Sequence, residues 1–143
     1  MNFLSEDENK YHAFLILDVD CFKQINDIYG HAVGDIVLQK FGKLLKGTFR
    51  EGDILGRIGG DEFGVIMKNI QTKDIAMKKA EELLAKTQAY KIDELKGNNI
   101  SISIGISTAP QDGDCYMDLY KRADQALYQA KRSGKARVCN YFS

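Results

Sequence analysis

The segment Ile54-Leu-Gly-Arg-Ile-Gly-Gly-Asp-Glu-Phe-Gly-Val-Ile-Met67 decides the fold that this sequence predicts. Apolar residues on both sides of Gly59-Gly60 are typical of two short β-strands, and the glycines allow a sharp turn because they carry no Cβ. Asp61 and Glu62 follow the turn directly, so we expect both carboxylates at the exposed tip of a β-hairpin. Two adjacent carboxylates there suit a divalent metal ion or a proton transfer.

A second acidic segment, Asp18-Val19-Asp20, ends an apolar run that begins at Ala13. A continuous apolar run of this length predicts a central strand that is buried on both faces. If this strand neighbours the hairpin in one sheet, its terminal carboxylates meet those of Asp61 and Glu62 at one edge. Carboxylates and a main-chain carbonyl, here that of Val19, are oxygen ligands that Mg²⁺ accepts. Taken alone, these two aspartates would be interpreted as residues that end a strand. Their expected position opposite Asp61 and Glu62 favours a metal site instead.

The remaining hydrophobic pattern predicts alternating helices and strands. Apolar residues at helical spacing predict helices over 22–29, from Gly34-Asp35 to residue 45, over 75–84 after a Thr72 or Asp74 cap, and over 116–130. Strict alternation over 100–107 predicts a strand with one apolar and one small polar face, and residues 137–142 predict a last strand. The order β-α-α-β-β-α-β-α-β predicts an α/β fold of the α+β type, with a mixed central sheet of about five strands flanked by helices.

The composition is that of one soluble globular domain, with 143 residues, 44% of them hydrophobic and 28% charged. Lys plus Arg and Asp plus Glu both number 20, so the net charge is zero and a nucleic-acid polymer is not an expected partner. Three cysteines without metal-ligand spacing indicate free thiols in a reducing compartment. The sequence contains neither a signal peptide nor an apolar run long enough to span a bilayer.

The segment after the first acidic pair has the features of a nucleotide site. Backbone N–H groups at the start of the helix over 22–29 can bind an anion, and Lys23 adds a positive charge. Asn26 and Asp35 suit a purine edge, because a carboxylate can accept from guanine N1–H and N2–H₂. In isolation, Asn26 would more often be a turn or helix-cap residue.

Together these segments closely resemble the GGDEF-domain family of diguanylate cyclases. The matching runs are Asp18–Asp27, Gly30-His31, Gly34-Asp35, Arg57–Phe63 and Ala126–Lys131, and the resemblance covers roughly residues 13–141. It implies a ferredoxin-like, nucleotidyl-cyclase palm fold. It also implies an enzyme that condenses two GTP molecules into cyclic di-GMP and releases two pyrophosphates. The reaction would need a homodimer in which each domain supplies half of the site.

The resemblance also implies a role for each matching residue. The ligands of Mg²⁺ (or Mn²⁺) would be Asp18, the Val19 carbonyl, Asp61 and Glu62. Catalysis would fall to Glu62, Asp61 and Lys23, with Glu62 helping to deprotonate the ribose 3′-OH or holding a second metal ion. Substrate binding is implied for Phe22, Lys23, Asn26, Asp35, Gly60, Lys131 and Lys135. Family members usually carry Arg at the position of Lys135, so the charge is kept and the bidentate fork is lost.

Arg50-Glu-Gly-Asp53 matches the RxxD inhibitory site of the family, where Arg50 and Asp53 would bind the product. By itself this pattern is common, and a plain surface pair is the alternative interpretation.

The N-terminus departs from the family pattern. Members begin with an Asp-x-Leu-Thr-Gly-Leu-x-Asn stretch and a full helix, whereas only Met1 to Asn9 precedes Lys10 here. We therefore interpret residues 1–12 as the remnant of an upstream helix or linker and residues 13–143 as the GGDEF domain. The departure predicts a cytoplasmic domain of a longer signalling protein with an upstream sensory region, whose membrane attachment is left open.

Two other hypotheses stay open at the level of sequence. The chain could be a non-catalytic module that binds GTP or cyclic di-GMP and signals through a partner. It could also be a cyclase with another nucleotide preference, because the guanine assignment depends on Asn26 and Asp35. The complete set of matching acidic and basic residues favours the diguanylate cyclase, since a binding module has no chemical need for all of them.

Overall fold

The structure, a computed structural model, describes residues 10–141. Its strands are β1 (Tyr11–Val19), β2 (Ile54–Gly59), β3 (Glu62–Ile70), β4 (Ile102–Ala109) and β5 (Val138–Asn140). Its α-helices are α1 (Phe22–Tyr29), α2 (His31–Thr48), α3 (Asp74–Ala89) and α4 (Tyr116–Arg132). A short 3₁₀ turn (Asp93–Leu95), which the sequence pattern did not predict, lies between α3 and β4.

The five strands form one mixed sheet in the order β2-β3-β1-β4-β5. Strand β1 pairs antiparallel with both β3 and β4, β2 pairs antiparallel with β3, and β5 runs parallel to β4. The first four strands therefore have the order and directions of a ferredoxin-like sheet. The predicted fold class is confirmed, and β1 occupies the centre because nearly all of its side chains are apolar and buried.

Helices pack on both faces of this sheet. One face carries the main core, in which Leu15 and Leu17 of β1 pack among buried side chains of α2 and α3. On the other face, Phe14 and Ile16 pack against α4. Helix α4 comes close because of the small polar face of β4: a Cβ on Gly105 would lie 2.2 Å from the Ala123 carbonyl oxygen. Small side chains in β4 thus set the position of α4 over the sheet.

Several elements differ from the predicted bounds; strand β4, for example, spans Ile102–Ala109 instead of residues 100–107. Helix α2 begins at His31 rather than at Gly34, because Gly30, with φ of +94°, turns the chain from α1 directly into α2. Neither Thr72 nor Asp74 caps α3; Lys73 is the N-cap and makes no side-chain cap hydrogen bond. Strand β5 is shorter than the predicted 137–142. The end of that range and residues 1–9 of the interpreted remnant (residues 1–12) lie outside the described residues, whereas Tyr11 and His12 of that remnant belong to β1.

Two simpler predictions can be compared with the described part of the chain. Between residues 10 and 141, no helix is long and apolar enough to cross a lipid bilayer. Cys21, Cys115 and Cys139 are all free thiols, as predicted.

Candidate active site

The two acidic segments meet at one edge of the sheet, where β1 ends and the β2–β3 hairpin turns. Asp18 lies opposite Glu62 in the antiparallel register of β1 and β3. The Val19 amide donates a long hydrogen bond to the Asp61 carbonyl oxygen, at 3.4 Å, which ties the hairpin tip to the end of β1. We call Asp18, Asp61 and Glu62 the carboxylate edge. Strand pairing brings together side chains that are more than 40 residues apart in the chain.

Asp18 is the most buried member of the carboxylate edge, with 6% of its surface exposed. Its Oδ2 accepts a hydrogen bond from the Lys131 ammonium, whereas its Oδ1 is buried and has no hydrogen-bond partner among residues 10–141. Burial, followed by a contact with the Asp61 carboxyl, raises the pKa of Asp18 to about 7 although the nearby Lys131 ammonium opposes the rise. A buried carboxyl in contact with a second one is stabilised by a proton or by a cation between them.

The hairpin tip holds its two acidic residues in a half-buried position. Gly60 has φ of +51°, a conformation that a residue with a Cβ rarely adopts, and its carbonyl oxygen accepts from Arg57 Nε at 2.8 Å. Asp61 and Glu62 are intermediate in exposure. The prediction that both would be exposed is therefore wrong, because the end of β1 and helix α4 lie beside the tip.

Tyr120 of α4 makes a contact that sequence reasoning missed. Its hydroxyl donates to Oε1 of Glu62 at 3.1 Å. Burial, followed by the hydrogen bond to Glu62 and the negative charge of that carboxylate, raises the pKa of Tyr120 to about 12, so the hydroxyl keeps its proton. The sequence pattern placed Tyr120 on the apolar face of the helix. A partly buried tyrosine hydroxyl needs a hydrogen-bond partner, and that need was the available signal.

Lys131, at the end of α4, lies beside the carboxylate edge. It forms an ion pair with Asp18 and is half-buried. Burial alone would lower the pKa of Lys131, but the hydrogen bond to Asp18 and the charges of the nearby carboxylates more than offset this and raise it. Lys131 is therefore the cation that the structure places next to the acidic groups, whereas the resemblance implied a contact with the triphosphate.

Asp20 lies outside the carboxylate edge although it is only two residues from Asp18. Its carboxylate accepts from the hydroxyls of Ser101 and Ser103, at 2.5 and 2.6 Å, and from the Ala136 amide at 3.1 Å. These bonds join the end of β1 to β4 and to the loop after α4. Ser103 on the small polar face of β4 and Ser101 just before the strand are the sequence signal for this role.

The two residues expected to read guanine belong to neighbouring helices. The side chain of Asn26, in α1, lies so close to α2 that a Cβ on Gly34 would be 1.9 Å from its Oδ1. Asp35 follows Gly34 directly and is exposed. Gly34 thus allows the close approach of α1 and α2 that puts Asn26 next to the first turns of α2.

The start of α1 brings the expected phosphate-binding residues into one region. Phe22 and Lys23 form its first turn, and Lys23 is exposed. Cys21, the N-cap residue, has a left-handed backbone with φ of 56°. Lys135 Nζ donates to Cys21 Sγ at 3.2 Å, so this lysine reaches the N-terminal end of α1 from the loop after α4. Both lysines lie where an anion at this helix start would meet them.

Arg50 and Asp53 lie at the opposite end of β2 from the hairpin tip, and we call this pair the arginine corner. Arg50 binds Asp53 Oδ1 through Nε at 3.2 Å and through a terminal nitrogen at 2.8 Å, and its amide donates to Oδ2 at 2.9 Å. The carboxylate of Asp53 is fully buried. Arg50 also lines an open cavity of about 420 Å³ together with Gly52, Lys68 and Asn69.

A second group of potential metal ligands lies at the start of α4. Asp114, Cys115 and Asp118 place their ligand atoms within 4.8 Å of one another, and both carboxylates are exposed. None of these residues belongs to the predicted metal site. Exposed acidic groups of this kind commonly occur without an ion.

The fold and the carboxylate edge together define a nucleotidyl-cyclase palm domain. The chain belongs to the GGDEF-domain family of diguanylate cyclases, because the family profile described as "Diguanylate cyclase, GGDEF domain" matches residues 2–137. The resemblance stated from the sequence is confirmed.

Two bacterial proteins illustrate this relationship. Diguanylate cyclase A of Treponema denticola is 40% identical over 127 residues, which are 88% of this chain and 34% of that protein. The response regulator PleD of Caulobacter vibrioides is also 40% identical over 127 residues, 87% of this chain and 28% of PleD. The chain thus spans about a third of the length of these relatives or less.

Solved GGDEF domains have the same fold. The GGDEF domain of TpbB (also named YfiN) from Pseudomonas aeruginosa matches with a TM-score of 0.92 and 34% identity, over 98% of this chain and 87% of that chain. The GGDEF domain of DgcB from Caulobacter crescentus, solved in complex with cyclic di-GMP, matches with a TM-score of 0.85 and 26% identity, over 95% of this chain and 81% of that chain.

Proposed function

We propose that this domain condenses two GTP molecules into cyclic di-GMP and two pyrophosphates. Family membership supports this class of reaction. The observation that carries the proposal is the environment of Asp18, whose buried carboxyl contacts Asp61 and has one oxygen without a hydrogen-bond partner among residues 10–141. A divalent cation between the two carboxylates would satisfy that oxygen and remove the repulsion.

The donor atoms at the carboxylate edge fit Mg²⁺ or Mn²⁺, because all of them are oxygens. Asp18, the Val19 carbonyl, Asp61 and Glu62 would hold the ion. When bound, it would stabilise negative charge on the phosphates. Lys131 now pairs with Asp18. Once a cation neutralises Asp18, the Lys131 ammonium becomes available to the triphosphate.

GTP would lie across the α1–α2 region and the hairpin tip. Asn26 and Asp35 would read the guanine edge, because an amide can both donate to and accept from that edge and a carboxylate can accept from guanine N1–H and N2–H₂. Phe22 and Lys23 would form the phosphate-binding turn, joined by Lys135, which already reaches the start of α1. Gly60, at the hairpin tip, leaves room for the phosphates because it has no side chain.

In the reaction, Glu62 would help to remove the proton of the ribose 3′-OH, which then attacks the α-phosphorus of the second GTP in line with the leaving pyrophosphate. Asp61 and Lys23 would hold the reacting groups and neutralise charge. One domain holds one GTP, so two copies must face each other across a two-fold axis. A monomer should therefore bind GTP and turn it over slowly.

The arginine corner would bind the product. The solved complex of the relative DgcB with cyclic di-GMP supports product binding by a domain of this fold. Arg50 would have to exchange part of its contact with Asp53 for the guanine or phosphate of the product. The length of the relatives supports the prediction that this domain works within a longer signalling protein. A cytoplasmic location and an upstream sensory region stay predictions.

The direct test is to incubate a forced dimer of this chain with GTP and Mg²⁺ and to measure cyclic di-GMP by chromatography. Asp61→Asn in the same dimer is the matched control, because it keeps the size of the side chain and removes its charge. We expect product from the unaltered dimer and almost none from the variant. A folded dimer that binds GTP and makes no product would point to the non-catalytic module instead. Equal competition by ATP would make the guanine assignment wrong.

A further inference from the structure

We propose that Tyr120 is a positioning residue for Glu62, an inference that rests on the proposed function. The Tyr120 hydroxyl donates to Oε1 of Glu62 at 3.1 Å. Among residues 10–141 it is the one hydrogen-bond donor that reaches this carboxylate. With Oε1 held in this way, Oε2 is the oxygen that can meet the ribose hydroxyl or a cation. The orientation of the catalytic carboxylate is thus set from helix α4 and not from the hairpin that carries it.

The Tyr120 ring is fixed well enough to hold another side chain in place. Its centroid lies 5.9 Å from that of Phe14 and 6.1 Å from that of Tyr116. Phe14 is itself buried, and it makes an edge-on contact with Tyr116 at 5.3 Å. Three packed rings leave the Tyr120 side chain little freedom, so its hydroxyl presents a donor at a defined point.

Helix α4 holds the carboxylate edge at a second point as well. Lys131 follows Tyr120 by about three helical turns on the same face, and it pairs with Asp18. Asp18 and Glu62 are themselves opposite each other across β1 and β3. One rigid helix therefore contacts one acidic residue from each strand, and so fixes the relative position of the two carboxylates.

The effect of losing the Tyr120 hydroxyl should fall on turnover rather than on substrate affinity. The proposed guanine contacts lie on α1 and α2, and the Tyr120 hydroxyl bonds to Glu62 rather than to any residue proposed to bind guanine or phosphate. A mispositioned Glu62 would weaken only the interaction that develops at the reacting hydroxyl, which lowers kcat with little change in KM.

The test is Tyr120→Phe in the dimer described above, with Tyr116→Phe as the matched control. Both substitutions keep the ring, and Tyr116 packs against Tyr120 at 6.1 Å between centroids, whereas the hydroxyl that bonds to Glu62 belongs to Tyr120. We expect Tyr120→Phe to lower kcat about tenfold and to change the KM for GTP less than about twofold. Tyr116→Phe should behave like the unaltered protein. Equal turnover of the two variants would overturn the inference.

A second readout does not depend on activity. The carboxyl ¹³C resonance of Glu62, assigned by its loss in Glu62→Gln, should move in Tyr120→Phe and stay in place in Tyr116→Phe. If the unaltered dimer makes no cyclic di-GMP, the proposed function fails, and this resonance still decides whether Tyr120 holds Glu62. An unmoved resonance in Tyr120→Phe would contradict the inference whatever the activity.

Discussion

The two ends of the β2–β3 hairpin differ in how completely their carboxylates are neutralised. At the arginine corner, the carboxylate of Asp53 is buried and its oxygens accept hydrogen bonds from Arg50. At the carboxylate edge, which has three acidic side chains, Lys131 pairs with Asp18, and one oxygen of Asp18 has no hydrogen-bond partner among residues 10–141. One hairpin thus carries a neutralised pair at one end and an excess of negative charge at the other.

This difference distinguishes a carboxylate that stabilises the fold from carboxylates that are suited to bind a ligand. A buried carboxylate with complete hydrogen bonds contributes to folding, and losing its partner is costly. A buried carboxylate with an unused oxygen and a like-charged neighbour is less stable without a cation. Substitutions at the carboxylate edge should therefore change activity more than stability, and substitutions at the arginine corner should do the reverse.

The largest expected effect is that of Glu62→Gln at the carboxylate edge. Removing a residue that helps to take a proton should lower turnover by about a hundredfold or more while GTP binding persists. Cyclic di-GMP production by the dimer and GTP titration by calorimetry measure the two quantities. Lys78→Ala, which removes an exposed ion pair on α3, serves as the control and should keep its turnover. A turnover of Glu62→Gln within about threefold of that of the unaltered protein would contradict the role proposed for Glu62.

Gly34→Ala should act on substrate affinity and leave both ends of the hairpin unchanged. The new Cβ would lie 1.9 Å from Oδ1 of Asn26, so the side chain expected to bind guanine must move. We expect the KM for GTP to rise about tenfold, with a loss of about 1–3 kcal/mol in the free energy of unfolding.

The matched control is Gly42→Ala in the same helix, where the added Cβ meets nothing within 4 Å. That variant should be unchanged in KM and equal or greater in stability, by up to about 1 kcal/mol. An unchanged KM for Gly34→Ala would argue against guanine binding at Asn26.

At the arginine corner, Arg50→Ala should destabilise the fold. It leaves the buried Asp53 carboxylate with fewer donors, and we expect the free energy of unfolding to fall by about 1–3 kcal/mol in urea. Lys78→Ala, which removes an exposed ion pair with Asp74 on α3, should cause no measurable change. Equal stability of the two variants would show that the buried pair is not a folding contact.

The smallest expected effect is that of Asp61→Asn on the protein without metal. Removing one of two carboxyls in contact should raise the free energy of unfolding at neutral pH by about 1 kcal/mol or less. Mg²⁺ should then stabilise the unaltered protein and have no effect on the variant, which urea unfolding with and without Mg²⁺ measures. A clear loss of stability in the metal-free variant would mean that Asp61 is a folding residue.

Local sequence patterns predicted the architecture and the meeting of the acidic segments. The apolar run before Asp18 identified a central strand, and the paired glycines before Asp61 identified a hairpin, so only their adjacency had to be assumed. The predicted start of α2 was wrong because the hydrophobic pattern does not show that Gly30 is both the C-cap of α1 and the N-cap of α2.

Long-range side-chain contacts could not be read from the sequence. The hydrogen bonds of Tyr120 to Glu62 and of Ser101 and Ser103 to Asp20 join residues that are 58 to 83 positions apart. Each contact depends on how α4 and β4 pack against β1 and β3. The periodicity of the sequence shows which face of a helix or strand is buried, but not which element packs against that face. Nor does a pattern show that an acidic residue two positions from Asp18 serves the fold instead of the site.

The most direct test of the central claim is an anomalous difference map from a crystal of this chain grown with GTP and Mn²⁺. We predict a peak between the carboxylates of Asp18 and Asp61, beside the phosphates and within ligand distance of the Val19 carbonyl. A peak at Asp114 and Asp118 instead, with Asp18 and Asp61 uncoordinated beneath a bound nucleotide, would contradict the account.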